Sequence, residues 1–576
     1  MRSKSTKPET VTRPGRWRSG LVAGVFVSAA LVMVARAVDL QVISKDFLQD
    51  QGQARHLRVV EIPAHRGMIV DRNGEPLAVS TPVASVWVNP QQLEDGIDKL
   101  PALADLLGWS TEKLLTYLAD RAEREFVYLE RQVTPELAAE VEALDIPGVN
   151  LKREYKRFYP AAEVTSHLVG FTDIDDAGQE GLELAFNEWL SGEAGRKRVL
   201  RDRLGQVIEN IEELAPAEPG QQLRTSIDLR LQYLAYRELK AAVINSGAKS
   251  GSIVVMNPQT GEVLAIANQP SYNPNNRAEL DSARYRNRAV TDLFEPGSYF
   301  KPFPLAAALE SGAYSPLTPI KTSPGFFKVG GYAVQDPLDY GTIDVTTVLA
   351  KSVNTGASKI ALSMEPEQIW STLAKFGFGS ATGSGFPGEA SGVLPHWQRW
   401  RDVTQATMAY GYGLSVTPLQ MAEAYSIIAN DGKRVPVSFL AVDEPEFSER
   451  VVSSQTARQM RQMLEAVVSA EGTGRRAAIS GYRVAGKTGT ARKAEAGGYA
   501  NDRHIAAFAG MAPAVNPRIV AVIVLDEPDE SRYYGGEVAA PVFSNVVSGA
   551  LRLLNIPPDQ ESVSQGGALI AGRSSQ

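Results

Sequence analysis

Apolar and polar residues form two contrasting patterns in the first quarter of the chain. An uncharged apolar run, Ser19 to Ala35, follows a short basic segment, and its unbroken hydrophobicity predicts a membrane-crossing helix. Residues 56–80 then alternate apolar and polar positions around Asn73-Gly74, a dipeptide that tolerates positive φ in a tight turn. This alternation predicts a β-hairpin, and helical periodicity follows from Leu100 to Leu144.

Strand patterns and helix patterns alternate in the second half of the chain. Periodicity predicts a helix from Leu229 to Val243, followed by a hairpin over residues 251–268. Strand-like runs return late, in RVAGKTGTA, HIAAFAGMAP and RIVAVIVLDEP, with helical patterns in the interval. A capping-box signature, TPLQ at residues 417–420, opens one of these helices, and Asp431-Gly432 ends it. Strands at both ends with helices between predict one sheet covered by helices on both faces.

The segment Glu213 to Gln222 accumulates Pro, Gly and Ala without apolar periodicity, as a linker does, and we place a domain boundary there. A length of 576 residues exceeds one hydrophobic core, so several domains are expected. The predicted division has five parts: a basic tail over 1–18, a transmembrane anchor over 19–38, an amino-terminal domain over 39–220, a second domain over 221–560 and a disordered tail over 561–576.

Charge refines this division. The net charge is −7, yet residues 1–18 hold six basic residues against one acidic residue, so the remaining body is distinctly acidic and is not expected to bind nucleic acid. The basic flank predicts a cytoplasmic amino terminus with the long body outside the membrane. A cleaved signal peptide is the alternative, because Ala35-Arg36-Ala37 has the small-x-small form of a cleavage site.

Two residue types limit the possible chemistry. The chain has no cysteine, which excludes disulfides and thiolate catalysis. Its five histidines are widely scattered and show no metal-binding spacing. We therefore expect neither a metal nor an organic cofactor.

The sequence FEPGSYFKPF suggests a nucleophile with its base. Ser298 follows a Pro-Gly turn at the start of a predicted helix, and Lys301 lies one turn further on. A buried lysine beside another cation loses its proton easily, so Lys301 could accept the Ser298 proton. The same Ser-x-x-Lys spacing at Ser110 fits a helix cap and at Ser246 a polar turn, so the pattern alone is weak.

Two further motifs strengthen this interpretation. Ser352 and Asn354 lie in SVN, where two helical patterns are interrupted by a short turn that could hold a hydroxyl and an amide over a cleft. Lys487-Thr488-Gly489-Thr490 lies in a strand pattern whose small residues could leave space for another extended backbone.

In this order and context, SxxK, SxN and KTG resemble the penicillin-binding proteins and serine β-lactamases. RGMIVDRNGEPLA, GQEGLE and TSIDLRLQ are similar to the non-catalytic portion of class B penicillin-binding proteins, and AYGYGLSVTPLQMA and YYGGEVAAPVF to their division-septum, FtsI-type branch. The resemblance implies an α+β multidomain chain. A penicillin-binding, β-lactamase-like domain with an antiparallel sheet and helices on both faces would follow an elongated α+β pedestal domain and a transmembrane helix.

The resemblance also implies a reaction and roles for the residues. Ser298 would attack the D-Ala-D-Ala bond of a peptidoglycan stem peptide, with Lys301 as base, and an amine of a neighbouring stem would take the acyl group. Ser352 and Lys487 would relay a proton to the leaving amine, and Asn354 would hold the substrate amide. Backbone N–H groups of Ser298 and Thr490 would form the oxyanion hole. β-Lactams would acylate the same serine.

Several implied features are less specific. Thr488 and Thr490 hydroxyls would bind the substrate carboxylate along the strand that contains Gly489. Arg492 and the pair Tyr533-Tyr534 could line the cleft. Arg66, Asp71 and Arg72 beside the first hairpin are expected to form structural ion pairs or a partner surface. The implied partners are divisome proteins, including a polytopic septal glycosyltransferase of the FtsW type, at the division site of the inner membrane.

Other functions remain open at this point. The residue pattern also fits an elongation-type enzyme, although Gly411-Tyr412-Gly413 replaces the Gly-Gln-Gly usual in that branch. A D,D-carboxypeptidase or β-lactamase would pass the acyl group to water, but no Glu-x-x-Leu-Asn segment lies between SVN and KTG. A non-catalytic β-lactam sensor or scaffold is the alternative from a different class of protein.

Overall fold

An apolar helix begins the described chain. Residues Arg16–Val38 are α-helical and continue as a π-helical turn over Asp39–Ile43. The segment Gly20–Ile43 is long and apolar enough to cross a membrane, and none of it is buried by the rest of the protein. This helix contains the predicted anchor and suggests attachment to a membrane.

The computed structural model describes residues 16–43, 57–201, 207–276, 282–444, 448–495 and 498–560. The tail predicted over 561–576 and most of the basic tail lie outside these ranges. The chain divides into two compact units. One unit comprises Met1–Ala64, Ser85–Lys152 and Glu193–Glu218, and the other comprises His65–Ala84, Arg153–Gly192 and Pro219–Gln576.

The first unit contains a three-stranded antiparallel sheet in the order Leu57–Ile62, Gly195–Arg201, Val207–Ala215. Besides the apolar helix, its described α-helices are Leu100–Leu106, Thr111–Ala119 and Pro135–Ala143. The prediction of helix throughout Leu100 to Leu144 is wrong at Val127–Val133, which is a strand. Val127, Leu129 and Val133 are buried at odd positions of this segment, a strand periodicity that the longer helical pattern concealed.

The hairpin predicted around Asn73-Gly74 is confirmed, although it is shorter than the sequence pattern. Ile69–Val70 pairs antiparallel with the start of Pro76–Val88, and Gly74 has a φ of +92°. The Asp71 carboxylate accepts hydrogen bonds from the backbone N–H groups of Asn73 and Glu75, at 2.7 and 2.9 Å, which closes the turn. The preceding alternating residues, Leu57–Ile62, pair with Gly195–Arg201 instead.

A buried ion-pair network ties early residues into the second unit. The guanidinium groups of Arg66 and Arg157 contact opposite oxygens of the Glu183 carboxylate, at 2.7 and 2.6 Å, and all three side chains are buried. This confirms the expectation of a structural ion pair at Arg66. Removing one member would leave a buried charge without compensation, which typically costs about 3–5 kcal/mol.

A five-stranded antiparallel sheet organises the second unit, in the order Val263–Gln269, Ser250–Met256, Ile519–Asp526, Gly498–Ala512, Ala485–Glu495. Alternate residues of its strands face opposite sides. Ile253 and Val255 share a core with helices Leu229–Ser246 and Ala540–Leu553, whereas Val254 and Met256 share another with Pro302–Glu310, Pro418–Ala429 and Ser454–Val468. The predicted sheet with helices on both faces is confirmed.

The ends of the helices follow their sequence signals. Thr417 and Gln420 form the predicted capping box, and Gly432 has a positive φ just beyond the end of that helix. Ser110 caps its own helix, as expected. The other helices of the second unit are Ser166–Val169, Gly181–Ala185, Asn187–Ser191, Ser282–Tyr285, Arg288–Thr291, Val345–Ala350, Asn354–Leu362, Pro366–Lys375, Asp402–Met408 and Gly535–Val538.

The remaining strands extend the sheet that contains Pro76–Val88 or form separate two-stranded pairs. Val149–Phe158 pairs with Pro76–Val88, and Leu223–Arg224 runs parallel to Ile69–Val70. Three two-stranded pairs lie in the second unit: Pro319–Lys321 with Thr342–Asp344, Phe326–Val329 with Tyr332–Gln335, and Lys433–Arg434 with Glu449–Arg450.

Candidate active site

Ser298 lies on a tight turn between the edge strand of the central sheet and a buried helix. Gly297–Phe300 is a 3₁₀ turn that leads into the helix Pro302–Glu310. Gly297 has a φ of +64° and donates its N–H to the Gly411 carbonyl at 3.0 Å, and an added Cβ there would lie 2.9 Å from the Ala491 Cβ. This close packing against the edge strand fixes the position of the Ser298 hydroxyl.

A second turn carries Ser352 and Asn354. The helices Val345–Ala350 and Asn354–Leu362 flank it, as the sequence predicts. Ser352 has a φ of +61°, in the left-handed region that a residue with a Cβ seldom adopts. Such strained backbone persists only where the surroundings impose it, and it clusters at functional sites.

The Lys301 amine is the centre of the site. Its Nζ lies 2.7 Å from Ser298 Oγ, 3.1 Å from Ser352 Oγ, 3.0 Å from the Ser352 carbonyl oxygen and 2.7 Å from Asn354 Oδ1. The side chain is fully buried. Two predicted motifs therefore meet at one nitrogen, although 51 residues separate Lys301 from Ser352.

The environment of Lys301 favours its neutral form. Burial lowers the pKa of this amine well below its usual value, and the nearby Lys487 lowers it further, whereas Asp336 acts in the opposite direction. A neutral amine within 2.7 Å of a hydroxyl oxygen can accept the hydroxyl proton. The geometry thus suits Lys301 to general-base chemistry on Ser298.

Lys487 brings the third motif to the same place. Its Nζ lies 3.0 Å from Ser352 Oγ and 3.1 Å from the Thr488 carbonyl oxygen. The residue is completely buried, and burial lowers the pKa of its amine to about 7. Ser352 Oγ consequently lies between two amines, and a proton could pass through it from one to the other.

The edge strand Ala485–Glu495 carries the rest of the KTG motif. Thr488 Oγ1 donates to Thr473 Oγ1 at 3.0 Å, and Thr490 Oγ1 accepts the Gly535 N–H at 3.1 Å. We expected the small residues of this strand to leave space for another extended backbone, but the space beside Gly489 is already occupied. The Tyr299 ring fills it, because a Cβ on Gly489 would lie 2.3 Å from Tyr299 Cδ1.

These residues border a cleft of about 560 Å³. Five of the predicted site residues line this cleft: Ser298, Ser352, Asn354, Thr488 and Thr490. The volume lies within the range of about 300–1,000 Å³ that is common for ligand pockets. The cleft also contains residues that the sequence reasoning missed: Asp336, Tyr340, Lys351, Thr473, Arg475, Arg476 and Glu537.

Asp336 is the most informative of the missed residues. Its carboxylate accepts the backbone N–H groups of Asn354 and Thr355, at 2.5 and 3.0 Å, and also the Thr355 hydroxyl. It thereby caps the helix that Asn354 begins. The signal in the sequence is indirect: Val353 occupies the N-cap position and has no side-chain acceptor, so the helix needs one from elsewhere.

Arg492 and Tyr533 are not among the residues that line the described cleft. Arg492 is exposed beyond KTGT, and its backbone N–H donates to the Tyr412 hydroxyl at 3.2 Å. The Tyr533 ring stacks on His504 on one side and on Tyr534 on the other, at centroid distances of 4.1 and 4.4 Å. Tyr534 is the member of this stack that reaches the cleft.

Comparison with known proteins adds the family context. A family model described as the penicillin-binding protein transpeptidase domain matches residues 251–548, and one described as the penicillin-binding protein dimerisation domain matches residues 61–225. The chain is 46% identical over 543 residues to the probable peptidoglycan D,D-transpeptidase PbpC of Pseudomonas aeruginosa, with 94% of this chain and 96% of that protein covered. It is 43% identical over 548 residues to the peptidoglycan D,D-transpeptidase FtsI of Escherichia coli, with 94% and 93% covered.

Solved structures of similar proteins support the same family. Penicillin-binding protein 3 of Mycobacterium tuberculosis, in complex with aztreonam, is 31% identical with a TM-score of 0.67, covering 87% of this chain and 98% of that one. The transpeptidase domain of penicillin-binding protein 3 from Burkholderia pseudomallei is 45% identical with a TM-score of 0.54, covering 58% and 98%.

Proposed function

The chain belongs to the penicillin-binding protein family with a dimerisation and a transpeptidase domain, and from this premise we propose the reaction that its cleft performs. It is a serine D,D-transpeptidase that cross-links peptidoglycan stem peptides through an acyl-enzyme. The family resemblance stated from the three motifs is confirmed by the matches to both domains. We also propose the role of each residue in this reaction.

Acylation begins with proton transfer from Ser298 to Lys301. The Ser298 oxygen bonds to the carbonyl carbon of the penultimate D-Ala, and the resulting oxyanion accepts hydrogen bonds from the backbone N–H groups of Ser298 and Thr490. The C–N bond then breaks. The leaving amine takes a proton from Ser352, which Lys487 replenishes, and departs with the terminal D-Ala, while Asn354 holds the amide of the donor.

Transfer of the acyl group reverses these steps with a different amine. The amine of a neighbouring stem peptide attacks the ester carbon and gives its proton to Ser352 and Lys487. The bond to Ser298 Oγ then breaks as Lys301 returns its proton to Ser298. A β-lactam acylates Ser298 by the first half of the reaction. Because its ring-opened amine stays attached to the acyl group, the acyl-enzyme persists.

The observation that carries this proposal is the set of contacts around Lys301. A fully buried amine that lies within 3.1 Å of both serine hydroxyls is costly to a fold, because burial disfavours its charge. A non-catalytic scaffold has no use for this arrangement or for the second buried amine, Lys487, at 3.0 Å from the same Ser352 hydroxyl.

Mass spectrometry of the full-length protein in detergent tests the proposal. After exposure to a labelled penicillin, a single adduct should map to the peptide that contains Ser298. The Ser298→Ala variant should form none, and Lys301→Met should acylate at least a hundredfold more slowly without any fall in its thermal unfolding midpoint. An adduct elsewhere, or unchanged acylation in Lys301→Met, would contradict the assigned roles. Lys359→Met, a lysine outside the cleft, is the matched control.

We further propose that the protein acts at the division septum, attached to the inner membrane by its apolar helix with the basic amino terminus in the cytoplasm. The amino-acid pattern of the FtsI-type branch and the similarity to E. coli FtsI support this assignment, and so does the charge asymmetry around residues 16–38. Divisome proteins, including an FtsW-type glycosyltransferase, are the proposed partners.

Two measurements test the septal assignment. A fluorescent fusion should concentrate at midcell, and cells depleted of the protein should form filaments, whereas swelling without filaments would favour the elongation branch. Protease added outside spheroplasts should degrade the body but spare an amino-terminal tag. A tag that is removed from the mature protein would instead support the cleaved signal peptide.

A further inference from the structure

A second groove adjoins the catalytic cleft. It has a volume of about 470 Å³ and lies between the helices Leu229–Ser246 and Ala540–Leu553 and the segment from Ser531 to Val542. Arg476 and Glu537 line both this groove and the catalytic cleft. The two cavities therefore meet at these residues, and one elongated ligand could occupy both.

The lining of the second groove carries both signs of charge. Arg476 and Arg532 supply guanidinium groups, and Glu238 and Glu537 supply carboxylates. Glu238 is held in place by Asn545, whose amide donates to one carboxylate oxygen at 2.8 Å, and by Arg237, which pairs with the other oxygen at 2.8 Å. Alanine and valine side chains of the two helices contribute apolar surface. Such a lining suits a ligand with ammonium, carboxylate and alkyl groups.

The junction of the two grooves lies at a chemically defined end of the cleft. Gly536, next to Glu537, packs close to the Thr473 backbone and the Thr488 side chain, so the junction adjoins the residue that follows Lys487. Lys487 and Ser352 are the groups proposed to protonate the leaving amine. The second groove consequently extends from the side of the cleft on which the terminal D-Ala departs.

The attacking amine must enter where the leaving amine left. In acylation the C–N bond to the terminal D-Ala breaks, and in transfer a new C–N bond forms as the C–Oγ bond to Ser298 breaks, which is the same step in reverse. The incoming nitrogen therefore needs the proton-transferring groups that served the leaving nitrogen. A peptide that carries this amine must extend away from the cleft on that side.

We propose that the second groove binds the acceptor stem peptide, a short peptide with a free side-chain amine and carboxylate groups. This inference rests on the transpeptidase function proposed above. Arg532 and Arg476 bind carboxylates of the acceptor, Glu238 and Glu537 bind ammonium or amide groups, and the reactive amine projects across the junction toward Ser352. Arg532 lines the second groove and is not among the residues of the catalytic cleft, so its substitution separates the two sites.

The test measures how the acyl-enzyme is divided between amine and water. Full-length protein in detergent is given a stem-peptide donor that ends in D-Ala-D-lactate, and increasing concentrations of the tripeptide L-Ala-γ-D-Glu-meso-diaminopimelate as acceptor. The ratio of cross-linked to hydrolysed product gives the half-saturating acceptor concentration. We expect Arg532→Glu to raise this concentration at least tenfold and Arg532→Lys to raise it less than threefold.

Two further variants make the outcome decisive. Ala241→Trp places a large ring in the groove from an exposed helix position and should also weaken acceptor use. Arg458→Ala, an exposed arginine that lines neither groove, should behave as the unmodified protein. Acylation by labelled penicillin is measured in parallel, because it requires only the donor side of the cleft and reports on folding.

The possible results are distinguishable. Normal acylation with impaired acceptor use in Arg532→Glu and Ala241→Trp supports the acceptor site. Normal acylation with unchanged acceptor use in both variants overturns it and leaves the transpeptidase function standing. Failure of the unmodified protein to acylate at Ser298 would overturn the proposed function and this inference together.

Discussion

Replacing Lys487 by methionine should stabilise the protein at neutral pH while impairing acylation. Lys487 is fully buried, and its pKa falls from 10.5 to about 7, so its charge is strongly disfavoured in the folded state. Each tenfold change in proton affinity is worth 1.36 kcal/mol, and the fall therefore corresponds to a cost of about 5 kcal/mol at or below pH 7. Methionine has a similar volume and carries no charge.

The stabilisation of the Lys487→Met variant is reduced because the variant loses the hydrogen bonds that Lys487 makes. Its Nζ donates to Ser352 Oγ and to the Thr488 carbonyl oxygen, and each such bond contributes about 1 kcal/mol. The net stabilisation expected at pH 7 is therefore about 3 kcal/mol. For a folding unit of this size, that corresponds to a rise of roughly 2–5 °C in the thermal unfolding midpoint.

The pH dependence has a definite sign. Between pH 7 and pH 10.5 the unfolded chain keeps the Lys487 proton that the folded protein has lost, so the stability of the unmodified protein rises with pH relative to the variant. The advantage of Lys487→Met should shrink through this window, reach zero near pH ~9, and become a disadvantage of about 1–2 kcal/mol by pH ~10, where the lost hydrogen bonds dominate.

Differential scanning fluorimetry from pH 6 to pH 10 measures this difference, and labelled-penicillin acylation measures activity. Lys375→Met, an exposed lysine at the end of the helix Pro366–Lys375, is the control and should shift the midpoint little at any pH. A midpoint that is lower in Lys487→Met at pH 7, or a difference that does not change with pH, would refute the idea that burial of this amine opposes folding.

Three further substitutions have defined outcomes. Gly489→Ala forces a Cβ against the Tyr299 ring, and overpacking of this kind costs about 1–3 kcal/mol; we expect a lower thermal midpoint and slower penicillin acylation, partly recovered by adding Tyr299→Leu. Asp336→Asn removes the negative charge that raises the Lys301 pKa, so the acid limb of the acylation pH profile should move to lower pH, and no movement would contradict that coupling. Thr417→Ala removes a capping box and should lower the free energy of unfolding by about 1 kcal/mol in denaturant titrations, without slowing acylation.

Much of the site could be predicted because its chemistry depends on residues that are close in sequence. The spacing of Ser298 and Lys301 places both on one side of a helix start, and the structure keeps them 2.7 Å apart. The capping box and the interrupted helices around Ser352 are likewise local signals with local causes. The spacing within each motif does not identify a protein family. The order of SxxK, SxN and KTG along the chain, compared with that in penicillin-binding proteins, does.

The residues that sequence reasoning missed depend on contacts between distant segments. Asp336 caps a helix that begins 18 residues later, through a loop whose path no local pattern specifies. Of the predicted pair Tyr533-Tyr534, Tyr534 lines the cleft and Tyr533 packs between it and His504, and two adjacent tyrosines give no sign of which ring turns inward. The strand Val127–Val133 was missed for a related reason, since its partner strand lies far away in the sequence.

Tyr299 and Gly489 show how the motifs depend on each other. The bulky residue within SxxK and the glycine of KTG form one packing unit, because the ring occupies the space that the missing Cβ leaves. Tyr299 is fully buried and its carbonyl accepts a hydrogen bond from Tyr425 at 2.7 Å, so the turn that carries Ser298 is clamped between a helix and the edge strand. The glycine therefore sets the distance between the nucleophile and the strand, and through it the position of Ser298 relative to Lys487. A substitution at either position should alter acylation even though neither side chain takes part in the proposed proton transfers.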